Sequence, residues 1–142
     1  MRRTRLVGTQ ATLRHCPSGS TDTEVWTGEL VDIAALLPEP DRWQRYDHHD
    51  TVLGDFTCWQ FLDPDWNVTV CSPEPLDGAD LDPVAIEEVK RLLPQVSYRI
   101  SIGMEPINPE RAGWEFLNRV ITAIATGSYG LGFDVFTGTP IR

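Results

Sequence analysis

The densest group of side chains in this sequence that could do chemistry is Asp47-His48-His49-Asp50. Imidazole and carboxylate groups serve as general bases and as metal ligands. A metal site needs donors that converge from several backbone positions, whereas the side chains of adjacent histidines usually diverge. The spacings HxH, HxxxH and HExxH are absent. We therefore predict no catalytic residue, metal or cofactor, and keep as an alternative a small hydrolase-like or metal-dependent enzyme that uses His48 or His49 with nearby carboxylates.

Cysteine chemistry is the second possibility, because the sequence contains three cysteines without a CxxC motif. An odd number of cysteines indicates a reducing compartment, so we predict a cytoplasmic protein. A hairpin that pairs Phe61 with Val68 also places Cys58 opposite Cys71, within the Cα separation that a disulfide allows. Two reduced thiols and a redox pair both remain open.

The net charge of −9 is unevenly distributed. The first sixteen residues contain four arginines and no acid, residues 17–82 contain fifteen acids against Arg42 and Arg45, and the remainder is neutral. Such an acidic block attracts cationic partners and repels nucleic acid. We therefore predict no direct contact with nucleic acid. We also predict no membrane insertion, because no apolar run approaches the ~20 residues that span a bilayer.

Aromatic residues lie among the acids of this block. Aromatic anchors surrounded by steering carboxylates are typical of protein-binding surfaces. We predict that a basic protein partner binds at Trp43, Tyr46, Asp47, Asp50, Asp55, Asp63, Asp65, Trp66, Glu74, Asp77 and Asp80. In this prediction the two tryptophans and the tyrosine are exposed anchors, and the acids steer the partner and rim the contact.

These residues must be held in place by strands and helices. Alternating or β-branched patterns predict strands over residues 3–13, 24–31, 55–62, 67–71, 96–105 and 131–135, and residues 41–55 show no period and are predicted to be an ordered loop. Helices are predicted over 83–93, with Asp82 as N-cap, and from Asn108-Pro109 to 126. We predict a single α+β domain over residues 1–142. Its single mixed or mainly antiparallel sheet has five to six strands, with two helices packed on one face and a polar opposite face.

The C-terminal part of the chain has a pattern of its own. A helix over residues 114–126 leads through Gly127 to the closing segment Tyr129-Gly-Leu-Gly-Phe-Asp134-Val-Phe-Thr-Gly138. In this ending the chain resembles some bacterial polymorphic-toxin immunity proteins. The resemblance implies stoichiometric inhibition of a cognate toxin by a small, acidic, cytoplasmic protein. It transfers no residue role, because such families differ in where they contact their toxins.

The charge favours a basic toxin, such as a nuclease, as the partner. A basic nucleic-acid-binding protein as the target of an acidic inhibitor gives the same physical prediction. A structural or assembly subunit is a further alternative, and it would use a polar sheet face formed by Ser97, Arg99, Ser101 and Asp134.

Overall fold

The computed structural model describes residues 21–52, 54–77 and 81–142. The strand predicted over residues 3–13 and the candidate Asp80 lie outside this part of the chain. The strands are β1 Thr21–Thr27, β2 Trp43–Asp50, β3 Gly54–Leu62, β4 Asn67–Cys71, β5 Glu74–Pro75, β6 Tyr98–Glu105, β7 Gly132–Phe133 and β8 Pro140–Ile141. The helices are α1 Ile33–Leu36, α2 Pro83–Leu92 and α3 Arg111–Gly127, and a 3-10 turn, Pro40–Arg42, directly precedes β2.

Six antiparallel strands form the main sheet, in the order β1-β6-β4-β3-β2, with β5 beside β6; β7 and β8 form a small second sheet. The predicted α+β class with one main antiparallel sheet is therefore confirmed. β4 and β5 pair with β6 in succession. Val70 faces Ile102 and Glu74 faces Arg99, so one extra residue separates β4 from β5. An extra residue of this kind in one strand of an antiparallel pair is a β-bulge.

The predicted register of the β3–β4 hairpin is also confirmed, with Phe61 opposite Val68 and Cys58 opposite Cys71. The backbone N–H of Ser72 donates to the carbonyl of Thr57 at 2.7 Å. Since hydrogen-bonded and non-hydrogen-bonded pairs alternate along an antiparallel ladder, the two cysteines form a non-hydrogen-bonded pair, whose side chains lie closer together. Their Sγ atoms are 3.3 Å apart and hydrogen-bonded, which lowers the pKa of the Cys58 thiol.

The largest apolar cluster lies between the sheet and α3. It includes Val25 of β1, Ile100 and Ile102 of β6, and Leu117 and Ile121 of α3. Helix α3 presents this apolar stripe because residues three and four apart share one helix face. An aromatic group extends the cluster at one end of the sheet, and it is described with the site below.

A second apolar cluster contains Trp26 of β1, Ala85 and Val89 of α2, and Leu131. Successive side chains of a strand point to opposite faces, so Trp26 points away from the cluster that contains its neighbour Val25. Helices α2 and α3 therefore pack in different clusters. Helix α2 begins as predicted, since the Asp82 carboxylate accepts a hydrogen bond from the backbone N–H of Val84 at 2.9 Å.

The expectation that one face of β6 is exposed and polar is wrong. The side chains of Arg99 and Ser101 are buried, and the Arg99 guanidinium forms an ion pair with the carboxylate of Glu74. The reason is that β6 lies in the middle of the sheet, between β1 and β4. On this face Trp26 of β1 lies opposite Arg99, and Trp26 belongs to the second apolar cluster, which covers the sheet here. Arg99 and Ser101 are therefore not available to a partner, although the alternative of an assembly subunit requires them at the surface.

Two further expectations differ from the structure. Residues 41–55, predicted to be a loop, contain β2 and the turn into β3. Helix α3 begins at Arg111 after Glu110, without a side-chain cap, so Asn108 is not its N-cap. Pro109 is buried, and it would contact a Cβ added at Gly113. The proline thus contributes packing in front of the helix.

Candidate functional site

The outer part of the β2–β3 hairpin projects beyond the neighbouring strand. β4 pairs with β3 only over Cys58–Leu62, whereas the pairing of β2 with β3 continues outward to Asp50 and Gly54. We call residues 46–52 and 54–57 the ribbon. All side chains of β2 from Gln44 to Asp50 are exposed. At the tip the Asp50 carboxylate accepts a hydrogen bond from the N–H of Val52 at 2.7 Å.

One face of the ribbon is acidic. It carries Asp47 and Thr57 opposite each other, and next to them the pair His49 and Asp55. The Asp47 carboxylate accepts hydrogen bonds from the Thr57 hydroxyl at 2.9 Å and from Nε of Arg45 at 3.2 Å, and these bonds hold the pKa of Asp47 below its ordinary value. Nδ1 of His49 lies 3.0 Å from an Asp55 carboxylate oxygen. The Asp47 carboxylate is therefore held in position, and its lowered pKa favours the ionised form.

The other face of the ribbon is aromatic. The rings of His48 and Phe56 stack with their centroids 4.7 Å apart. Tyr46 lies beside them with 41% of its surface exposed, and its hydroxyl donates to the side-chain oxygen of Gln44 at 2.6 Å. The sequence reasoning did not find the His48–Phe56 pair. Pairing residues 41–55 with β3 would have revealed it, because this register places His48 opposite Phe56.

The two histidines diverge, as expected for adjacent residues of a strand. His48 stacks on Phe56, whereas His49 contacts Asp55 on the opposite face, so at most one imidazole joins any single site. In the part of the chain that the structure describes, no group of three or more His, Cys, Asp and Glu is arranged to hold a metal ion.

Two of the three predicted aromatic anchors are not exposed, and this part of the prediction is wrong. Trp66 is buried between Phe61 and Phe116, with ring centroids 5.8 and 5.2 Å away. Trp43 is half-buried against the same phenylalanines, and its indole N–H donates to the carbonyl of Pro38 at 2.7 Å. Both tryptophans pack against Phe116 of helix α3, and this contact reduces their exposure. Of the three predicted anchors, Tyr46 is the one whose side chain is exposed.

The predicted acids are divided between the two ends of the sheet. Asp47, Asp50 and Asp55 lie on the ribbon. Asp63 and Asp65 lie at the opposite end, in the β3–β4 turn, where the Asp63 carboxylate accepts the N–H of Asp65 at 3.1 Å.

Of the remaining acidic candidates, Glu74 and Asp77 are described, and they lie near the end of the sheet from which the ribbon projects. Glu74 is half-buried, and its charge is compensated by Arg99. Asp77 is exposed. Among the described candidates, the structure therefore brings Tyr46, Asp47, Asp50 and Asp55 together on one element.

A pocket of about 330 Å³ lies at the end of the sheet away from the ribbon. Its lining includes Phe61, Phe116 and Trp66, and two arginines cover this aromatic floor. The Arg42 guanidinium lies 4.5 Å from the centre of the Phe61 ring, and the Arg119 guanidinium lies 5.4 Å from that of Phe116. Glu39 forms ion pairs with both arginines. The two guanidinium groups over the aromatic floor therefore share one carboxylate.

The closing segment is tied to α3 by Asp134. Its carboxylate accepts hydrogen bonds from the backbone N–H groups of Thr137 and Phe136 at 2.9 and 2.8 Å and from the Asn118 amide at 3.1 Å. The Asn118 side-chain oxygen in turn accepts the N–H of Val135 at 3.0 Å. These bonds, led by that from Thr137, lower the pKa of Asp134.

This pKa predicts a pH-dependent contribution to stability. Because the folded state lowers the pKa of Asp134, its carboxylate stabilises the fold above the unfolded-state pKa, and this contribution is lost as the pH falls through the lowered value. We expect Asp134→Asn to reduce the free energy of urea unfolding more at pH 7 than at pH 3. An equal loss at both pH values would contradict this assignment.

Comparison of the chain with protein-family models, curated proteins and solved structures finds no match. Within the described residues, no helix is both long and apolar enough to cross a membrane.

Proposed function

We propose that this protein binds and neutralises a basic protein, as an immunity-type inhibitor of a toxin, and that the ribbon is its recognition element. The supporting observation is the projection of the ribbon from the sheet, with carboxylates on one face and Tyr46, His48 and Phe56 on the other. An aromatic patch edged by charge is typical of residues that dominate binding energy in protein interfaces.

The charge of the ribbon suits long-range attraction. Asp47, Asp50 and Asp55 are exposed, and they belong to a chain of net charge −9. At physiological salt the Debye length is ~8 Å, so carboxylates on a projecting element act on an approaching cationic partner before contact. Such steering raises the association rate more than it slows dissociation. The partner class that this favours is a protein with a basic surface.

The anchor of the proposed contact is Tyr46. A tyrosine combines a large apolar ring with a hydroxyl, and tyrosines are enriched among the residues whose truncation weakens binding most. We expect Tyr46→Ala to raise the dissociation constant of the complex by about 30-fold, corresponding to roughly 2 kcal/mol, mainly through faster dissociation. Surface plasmon resonance with the purified partner measures this change.

Tyr129→Ala is the matched control, because Tyr129 is 90% exposed and lies after α3, outside the ribbon. We expect this variant to bind as the unchanged protein does. Equal losses for the two variants, or no loss for Tyr46→Ala, would remove Tyr46 from the interface.

The neutralising role has a direct test. A gene adjacent to the one encoding this chain, if it encodes a basic protein, is expressed alone and together with this chain in a bacterial host. We expect growth arrest by the basic protein alone, growth with both, and a stoichiometric complex on size-exclusion chromatography. If the adjacent product is toxic and this chain neither binds it nor restores growth, the proposal is wrong for that partner.

A further inference from the structure

β2 is an edge strand, and among the described residues its strand partner is β3 alone. The direction of its backbone groups follows from the neighbouring ladder. The N–H of Ser72 donates to the carbonyl of Thr57, so the backbone polar groups of Thr57 point toward β4. Because this direction alternates from residue to residue, Cys58 directs its groups toward β2.

The residue of β2 that faces Cys58 is Tyr46, so Tyr46 hydrogen-bonds toward β3. Its neighbours Arg45 and Asp47, and by the same alternation His49, therefore direct their N–H and C=O groups away from the sheet. These are the groups with which a further strand would pair. The side chains around them are exposed.

The charges along this edge are arranged symmetrically about Tyr46 with opposite signs. Arg45 and Asp47 are its immediate neighbours on the strand. A strand with this pattern is complementary to itself when a second copy runs antiparallel with Tyr46 facing Tyr46. In this register Arg45 of each copy faces Asp47 of the other. Opposite charges directly across a ladder are favourable.

The neighbouring registers are unfavourable. Because the outward backbone groups belong to every second residue, a change of register moves the strand by two positions. One such change places Arg45 against Arg45, and the opposite change places Asp47 against Asp47. Like charges directly opposite each other destabilise a strand pair. Charges on an edge strand usually prevent pairing, but here their arrangement favours the register centred on Tyr46 over its two neighbours.

We propose that β2 pairs with β2 of a second copy of this chain, antiparallel and centred on Tyr46, so that the two main sheets become continuous. In the dimer Arg45 exchanges its contact with Asp47 of its own strand, at 3.2 Å, for Asp47 of the second copy. This inference does not rest on the proposed function, because it needs no partner other than the chain itself. A single strand pair buries less area than a standard interface, so the dimer belongs to the weak, concentration-dependent class.

Sedimentation velocity of the full chain over a range of concentrations tests the proposal. We expect a monomer–dimer equilibrium with a dissociation constant in the micromolar range, about 1–100 μM. Arg45→Asp places Asp against Asp in both symmetric pairs, and Asp47→Arg places Arg against Arg. Each variant is expected to weaken the dimer at least about tenfold. Both side chains are exposed, so circular dichroism should show an unchanged fold.

Mixing the two variants tests most sharply whether Arg45 of one copy faces Asp47 of the other. In a heterodimer of Arg45→Asp with Asp47→Arg, each of the two facing pairs again contains one acid and one arginine. We expect the mixture to dimerise at a concentration at which each variant alone is monomeric. The ion pair within one strand is lost in both variants, so it cannot account for recovery on mixing. A monomer up to about 1 mM overturns the proposal. Variants that dimerise like the unchanged chain, or a mixture that stays monomeric, also overturn it.

Discussion

Replacing Phe116 by alanine is expected to lower the free energy of unfolding by about 3–5 kcal/mol. Phe116 is 5% exposed, and its ring lies 4.3 Å from that of Phe61 and 5.2 Å from that of Trp66. Truncation removes these contacts and leaves a cavity that rigid aromatic neighbours cannot fill. Urea unfolding monitored by tryptophan fluorescence measures the loss. The emission of the folded variant should also shift to longer wavelength, because Trp66 gains contact with water.

Phe136→Ala is the matched control for this prediction. Phe136 is 45% exposed and contacts the Arg111 guanidinium, whose carbon lies 4.8 Å from the ring centre. We expect its truncation to cost less than about 1 kcal/mol. Similar losses at the two positions would show that Phe116 does not organise the aromatic group.

The sequence predicts the β3–β4 hairpin well because one of its faces is buried. Phe61 and Val68 face each other toward the core, and a shift by one residue would expose them. The same constraint placed Cys58 opposite Cys71. The start of α2 was predictable for a local reason, since Asp82 caps the helix and proline follows it at the first helical position.

β2 could not be recognised in the same way. Its side chains from Gln44 to Asp50 are exposed on both faces, so no alternation of apolar and polar residues marks the strand. Its structure comes from pairing with β3. The candidate site depended on this strand, because only the pairing shows that Tyr46 and the ribbon acids belong to one projecting element.

The burial of the tryptophans could not be predicted either, but for a different reason from that for β2. Composition places Trp43 and Trp66 among acids, but their burial depends on helix α3, which is distant in sequence. A Cβ added at Gly113 would lie 3.2 Å from the Trp66 ring, so the helix passes directly against this indole. Contacts of this kind depend on how α3 packs on the sheet, so the residues next to each tryptophan in the sequence do not predict them.

Neutralising the three ribbon carboxylates together is expected to have the largest effect on the association rate. In Asp47→Asn/Asp50→Asn/Asp55→Asn each asparagine keeps an oxygen that can accept the local hydrogen bonds, so the fold is retained. Loss of three charges from the proposed recognition element should lower the association rate constant for the proposed basic partner by about tenfold or more at low salt. Stopped-flow fluorescence measures this rate.

The control removes the same number of charges elsewhere. Glu87, Glu88 and Glu110 are exposed on or beside helices and lie outside the ribbon. We expect Glu87→Gln/Glu88→Gln/Glu110→Gln to change the association rate constant less than threefold, because steering depends on where the charge lies. If both triple variants slow association equally, net charge alone is responsible and the ribbon has no special part.

Hydrogen–deuterium exchange of the chain with and without its purified basic partner tests the role of the ribbon most directly. It is carried out at a chain concentration at which sedimentation shows a monomer, so that pairing of β2 with itself does not contribute. We predict slower amide exchange in residues 43–57 on binding and unchanged exchange in the β3–β4 turn and in α2. Protection of the turn or of α2, with unchanged exchange in the ribbon, would contradict the account.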